Sequence, residues 1–334
     1  MRWRVALTTG YLVVLPLLAW TLVWNQSAET AILNVSYDPT RELWRDLNQS
    51  FRQRYERETG ARISISQSHG GSSSQARAVI DGLEADVVSF ALWTDTDALR
   101  RNGLLAADWM ERLPNRSLPY SSMIVFVVRA GNPKVVRDWD DLIKPGVEVI
   151  TPSPKTSGNG KLSLLAAWGA SLKRGEDEAA AFQFAAELYR HVPILDAGAR
   201  GSATTFAQKK IGDVLLTWEN EALLEVAESR SELQIVYPSR SIRAEPYVAV
   251  VDANVDRRGT RGVAERYLRF LYTDEGQRII ANHYLRPCND AFRDRAILPD
   301  VNLFGVEAVA KDWNDAQEKF FGDGSVFDHI YERK

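Results

Sequence analysis

The chain has 334 residues, 45% of them apolar and 25% charged, with a formal net charge of −3 at neutral pH. This balance excludes a disordered chain and suits one large domain or two smaller ones. Lys plus Arg total 41 against 44 Asp plus Glu, with no long basic run, so a nucleic-acid partner is excluded, and the single cysteine, Cys288, rules out an intramolecular disulfide.

The amino terminus reads as an export segment. Arg2 and Arg4 form a positive start, and Val5 to Trp24 carries no charge. A signal peptide over 1–28 and a retained membrane anchor both remain open, because no clean small-residue cleavage site follows and about 20 uncharged residues also span a bilayer. A buried core helix is a third reading, which the positive flank and the terminal position argue against. No cysteine lies near the end of the segment to carry a lipid.

ILNVSY, from Ile32 to Tyr37, reads as the first strand, and Asp38, Pro39 and Thr40 open the helix after it. Proline suits a first helical turn and Asp38 can cap it. ARISIS (Ala61 to Ser66) is the second strand. Gly70, Gly71, Ser72, Ser73 and Ser74 then stand directly ahead of helical sequence running to Leu83. The serines can serve as an N-cap and nothing more, or the loop can present N–H groups to an anion at the positive end of a helix dipole. ADVVSF (Ala85 to Phe90) completes a βαβαβ pattern.

A second set follows: strands at Ser121 to Arg129, Val147 to Ile150, Asp213 to Trp218 and Tyr247 to Val251, with a helix from Gly158. The pattern predicts an α/β fold of two lobes with mixed, mostly parallel sheets. MIVFVV and YVAVV are candidates for the segments that cross between lobes, or else are ordinary central strands. Two more glycine- and serine-bearing junctions appear here, Thr156 to Gly160 and Ala197 to Thr204. Together with those at Asp38 and Ser72 they make four helix starts at strand ends, the usual ligand edge of an α/β sheet. Four such starts, two from each half of the chain, point to a small anion held between lobes.

NVSYDPTRELW, QSHGGS, EADVVSFAL, DWDDLIKPGVEVITPSPKTSGNG, LAAWG, LDAGARGS, GDVLLTWENEALL and AEPYVAVVD resemble the bacterial periplasmic sulfate-binding proteins of the sulfate and thiosulfate ABC transporter. The resemblance runs from about Ile32 to the carboxyl end. It implies a type II periplasmic binding protein with the ligand cleft between its lobes, here 31–120 plus 250–334 and 121–249. It also implies a monomer in the periplasm, with sulfate or thiosulfate as ligand, permease subunits in the inner membrane as partners, and no cofactor. Position by position, Asp38 would offer a backbone N–H, Ser72 a hydroxyl and an N–H, Ser157 a hydroxyl, Gly158 and Asn159 N–H groups, Ala199 an N–H, and Trp218 its indole N–H. Arg200 would support the site without touching the anion.

The chain departs from the resembled pattern at Asn159, where a second glycine is expected. The main-chain donor survives, and asparagine is the residue that best tolerates a positive φ in glycine's place.

A site made only of donors accepts an unprotonated dianion and offers nothing to the proton of hydrogen phosphate. Asp38 is the only acid among these residues, and a capping role would occupy it. The same fold binding phosphate or molybdate, and a membrane-tethered sensor or enzyme, are the alternatives. Catalysis lacks support: His69 is near Ser72, but no G-x-S-x-G elbow is present. The four histidines, His69, His191, His283 and His329, show no ligand spacing, so no metal is expected, and no nucleotide-binding glycine motif follows a strand. Trp218 could equally be core, Arg200 a surface ion pair, and Cys288 a buried or incidental thiol. The segment from Lys311 to Tyr331 reads as an amphipathic helix and tail packed on one lobe.

Overall fold

A computed structural model describes residues 30–173 and 175–332. The export segment therefore lies outside the described residues, and among those residues no helix is long and apolar enough to cross a membrane. The first lobe is built on a four-stranded sheet, in the order β10 (Tyr247–Val250), β3 (Val87–Phe90), β1 (Thr30–Tyr37) and β2 (Ile63–Gly70). β1 runs parallel to β2 and β3, and β10 is antiparallel to β3. Leu43, Trp44, Leu47 and Phe51 of the helix Arg41–Thr59 join Tyr267 and Leu268 in one buried cluster. Ala76 and Val79 of the helix Ser72–Ile80 join Leu99 and Trp109 in another. Both clusters include strand residues, as expected of an α/β sheet covered on two faces.

The second sheet centres on β4 (Tyr120–Arg129), flanked by β7 (Val214–Trp218) on one edge and by β8 (Leu233–Val236) and β9 (Arg240–Ala244) on the other. β5 (Val149–Pro152) lies parallel to β7 and to the short β6 (Leu195–Asp196). The expectation of mostly parallel sheets is corrected here. β4 enters from the first lobe and runs antiparallel to every strand it pairs with, including the short β11 (Arg286–Pro287), so the pairing is evenly mixed.

The chain passes between lobes at the start of β4, where Tyr120 belongs to the first lobe's core and Ile124 to the second's, and again at Glu245 and Pro246 between β9 and β10. These crossings adjoin the two expected segments. The boundary drawn at the carboxyl end differs. Residues 250–334 were expected with the first lobe, yet β12 (Asn302–Phe304) pairs parallel with β9, and Phe304, Phe320, Phe321, Phe327 and Ile330 share a core with Trp168 and Leu188. The tail is two helices, Trp313–Phe321 and Val326–Glu332, whose apolar faces pack on the second lobe.

Candidate functional site

All seven residues proposed to hold the anion line one small cavity between the lobes. Asp38 and Ser72 come from the first lobe, and Ser157, Gly158, Asn159, Ala199 and Trp218 from the second, with Tyr37, Gly71 and Ala91 among the other walls. Each reaches the cavity at a strand end: Asp38 after β1, Ser72 after β2, the helix Gly158–Lys173 after β5, the helix Ala199–Ala203 after β6, and Trp218 at the end of β7. No side chain caps the Ser72 helix or the Ala199 helix, so backbone donors there are free for a ligand.

Two details differ from expectation. The N-cap of the Ser72 helix is Gly71, not a serine. The Ser72 hydroxyl accepts from the Ala91 N–H at 3.0 Å and donates to Asp95 Oδ2 at 2.5 Å, and Ser73 donates to Asp95 Oδ1 at 2.9 Å. Asp38 does not cap its helix either. It opens a short 3₁₀ turn, Asp38–Thr40, and its carboxylate accepts from Arg41 at 3.1 Å.

Asn159 needs no positive φ, because it lies in the first turn of a regular helix and is absent from the left-handed residues. It is buried, and its Nδ2 donates to the Leu216 carbonyl at 3.0 Å, tying the helix start to β7. Gly158 is required for a different reason. A Cβ there would stand 2.7 Å from the Cβ of Ala91, across the lobe boundary, and one on Gly71 would stand 2.8 Å from the Thr156 carbonyl oxygen. The lobes are closed on each other at the backbone.

Trp218 is fully buried, its ring lies 5.3 Å from that of Tyr37, and its indole N–H has no hydrogen-bond partner. An orphaned buried donor costs about 1–3 kcal/mol, so a buried donor lining a cavity marks the place of a missing acceptor. Arg200 stays outside the cavity wall and pairs across the lobes with Glu42 at 3.3 Å. The His69 ring contacts Ser36 at 2.7 Å and Gln67 at 2.6 Å rather than Ser72, and burial with the nearby Arg41 lowers its pKa to about 4. It therefore adds no cation at neutral pH, and its serine partner is Ser36, not the cavity residue Ser72.

A family model described as bacterial extracellular solute-binding protein covers residues 35–286. The chain belongs to this family. It is a family of solute-binding proteins rather than enzymes. A thiosulfate-binding protein of Pseudomonas aeruginosa is 50% identical over 94% of this chain and 97% of its own length. A sulfate-binding protein of Escherichia coli is 48% identical over 99% of both. Among solved structures, the sulfate-binding protein SubI of Mycobacterium tuberculosis superposes with a TM-score of 0.78 at 32% identity, covering 88% of this chain and 100% of that one. The two-lobed type II architecture is thus that of the solute-binding proteins.

Sequence reasoning missed several residues of this solute-binding protein's site. Asn220 is buried, donates to the Pro39 carbonyl at 3.4 Å and accepts from Ser122 at 3.3 Å, joining the Asp38 turn to β4. Its only signal is its place two residues after Trp218. Asp95 gave none, because its serine partners lie 22 and 23 positions away. Cys288, open as a buried or incidental thiol, is an exposed residue whose Sγ turns inward to donate to Gln277 Oε1 at 3.3 Å, and desolvation of that sulfur raises its pKa rather than activating it.

Proposed function

We propose that the protein binds sulfate or thiosulfate outside the cytoplasmic membrane, in the periplasm, and delivers it to the permease of an ABC transporter. The observation that carries the reading is the partnerless indole N–H of Trp218 in a cavity walled by helix starts. Backbone N–H groups of Asp38, Ser72, Gly158, Asn159 and Ala199, the Ser157 hydroxyl and the indole would surround a tetrahedral dianion. Ser72 would act through its N–H, its hydroxyl proton being engaged by Asp95.

Neutral dipoles suit this task, because spreading two charges over them avoids burying a full counter-ion with its own desolvation. The one acid in the wall, Asp38, is paired with Arg41, so no carboxylate is free to receive the proton of hydrogen phosphate. The names of the relatives, one sulfate-binding and one thiosulfate-binding, support both ligands. The amino-terminal segment would direct export, whether cleaved or kept as an anchor. Calorimetry with sulfate, thiosulfate and phosphate, followed in parallel by tryptophan fluorescence, tests the reading. Binding of either sulfur oxyanion without a response to phosphate supports it; preference for phosphate refutes it.

A further inference from the structure

Behind the cavity wall lies a buried cation that the proposed donor set does not use. Lys161 lies on the first turns of the Gly158 helix, in the second lobe, and is 5% exposed. Its Nζ donates to Ser73 Oγ in the first lobe at 3.2 Å and to Gln317 Oε1 of the helix Trp313–Phe321 at 3.0 Å, and lies 5.5 Å from the centre of the Phe321 ring. Ser73 in turn donates to Asp95 Oδ1 at 2.9 Å, while Asp95 Oδ2 receives the Ser72 hydroxyl. Asp95 is itself buried, in the first turn of the helix Trp93–Arg101.

We propose that Lys161, Ser73 and Asp95 form a latch across the cleft that holds the lobes shut over the ligand, with Lys161 as a positioning residue for binding. The ammonium and the carboxylate sit on different lobes and are joined through one hydroxyl, so the chain of charge-assisted hydrogen bonds exists only when the lobes meet. Opening separates Lys161 from Ser73 but leaves it anchored to Gln317 and Phe321, ready to re-form the contact. The same Asp95 holds the hydroxyl of Ser72, a residue of the cavity wall. The latch therefore links closure to the geometry of the first-lobe donors.

This inference rests on the proposed ligand class only for its first measurement. Stopped-flow tryptophan fluorescence with sulfate and thiosulfate gives the association and dissociation rates of wild type, Lys161→Met, Ser73→Ala and the double variant. The latch requires dissociation to rise roughly tenfold or more, as loss of a charge-assisted hydrogen bond implies, with association within about twofold. The double variant should be no worse than the more severe single one. Lys161→Arg should restore part of the loss, and the ligand-free melting temperature of Ser73→Ala should stay at the wild-type value. Unchanged dissociation in Ser73→Ala overturns the latch, as does a strictly additive double variant. If wild type binds neither anion, the functional reading fails, and small-angle scattering decides the latch separately. A larger radius of gyration in Lys161→Met than in wild type supports it, and equal radii refute it.

Discussion

The indole ring of Trp218 packs 5.3 Å from the Tyr37 ring, yet its N–H remains without a partner in a fully buried position. The pairing explains how the donor is aimed: Tyr37 ends β1 next to Asp38, and Trp218 ends β7 next to the helix Glu219–Glu228, so the tilted ring contact joins the two lobes at the cavity. Trp218→Phe keeps an aromatic ring against Tyr37, deletes the donor and leaves a small void. Sulfate affinity should fall roughly 10- to 100-fold, since a hydrogen bond to a charged group contributes about 1.5–3 kcal/mol. The ligand-free protein should lose little stability, because removing a buried orphan offsets part of the cost of the void. Calorimetry and thermal melts check the two halves, and a variant that loses stability but not affinity would show the indole to be core.

Gly158 and Ala91 meet across the boundary with no room for a second methyl group, 2.7 Å separating the Cβ positions. Gly158→Ala should hold the lobes apart while each still folds. Overpacking costs about 1–3 kcal/mol, so affinity should fall roughly tenfold or more. Ala91→Gly removes the opposing carbon, and the double variant should recover much of the loss. A titration of both singles and the double settles the point; wild-type affinity in Gly158→Ala alone would mean that the lobes do not close this tightly over the ligand.

Asn159→Gly tests the departure from the resembled pattern. Glycine keeps the main-chain donor but abandons the Leu216 carbonyl, which Asn159 Nδ2 now satisfies in a buried place, and it adds backbone freedom in a helix. Stability should drop by about 1–3 kcal/mol in denaturant unfolding, with a smaller effect on the binding free energy. The opposite order, intact stability with altered ligand choice, would make the amide a selectivity group.

The helix starts and most central strands were legible because their signals are local. ILNVSY and ADVVSF carry runs of apolar and β-branched residues between turn residues, and Gly71 and Gly158 mark helix starts. β9 was not legible: RSIRA is charged and short, and it becomes a strand only by pairing with β4 and β12. The tail showed its amphipathic period but not its destination, since Phe320 and Phe327 would suit an apolar face on either lobe. The fate of the Ser72 hydroxyl was equally hidden, because a side chain's partner depends on which distant turn folds against it. Local pattern located the helix starts that wall the cavity, and Trp218 came only with the family resemblance; the contacts across the cleft, Gly158 with Ala91 and Lys161 with Ser73, needed the tertiary fold.

Glu221 gives the protein a pH dependence with a definite sign. It lies buried in the first turn of the Glu219–Glu228 helix, and burial raises its carboxyl pKa to about 8, against the pull of Arg200 and aided by Glu225, Glu42 and Asp38. Because the folded value is raised above the ordinary 4.5, folding takes up a proton between these limits. Its contribution to stability is present in full below pH 4.5 and is lost as pH rises through 8. An ionised Glu221 three residues from Trp218 would also repel a bound dianion. Glu221→Gln stays neutral throughout, so its stability should not decline over that window and its sulfate affinity should exceed that of wild type above pH 8. Unfolding curves and calorimetry from pH 5 to 9 test both; superimposable profiles for the two proteins would mean that this carboxylate ionises as an ordinary surface glutamate and plays no part in the linkage.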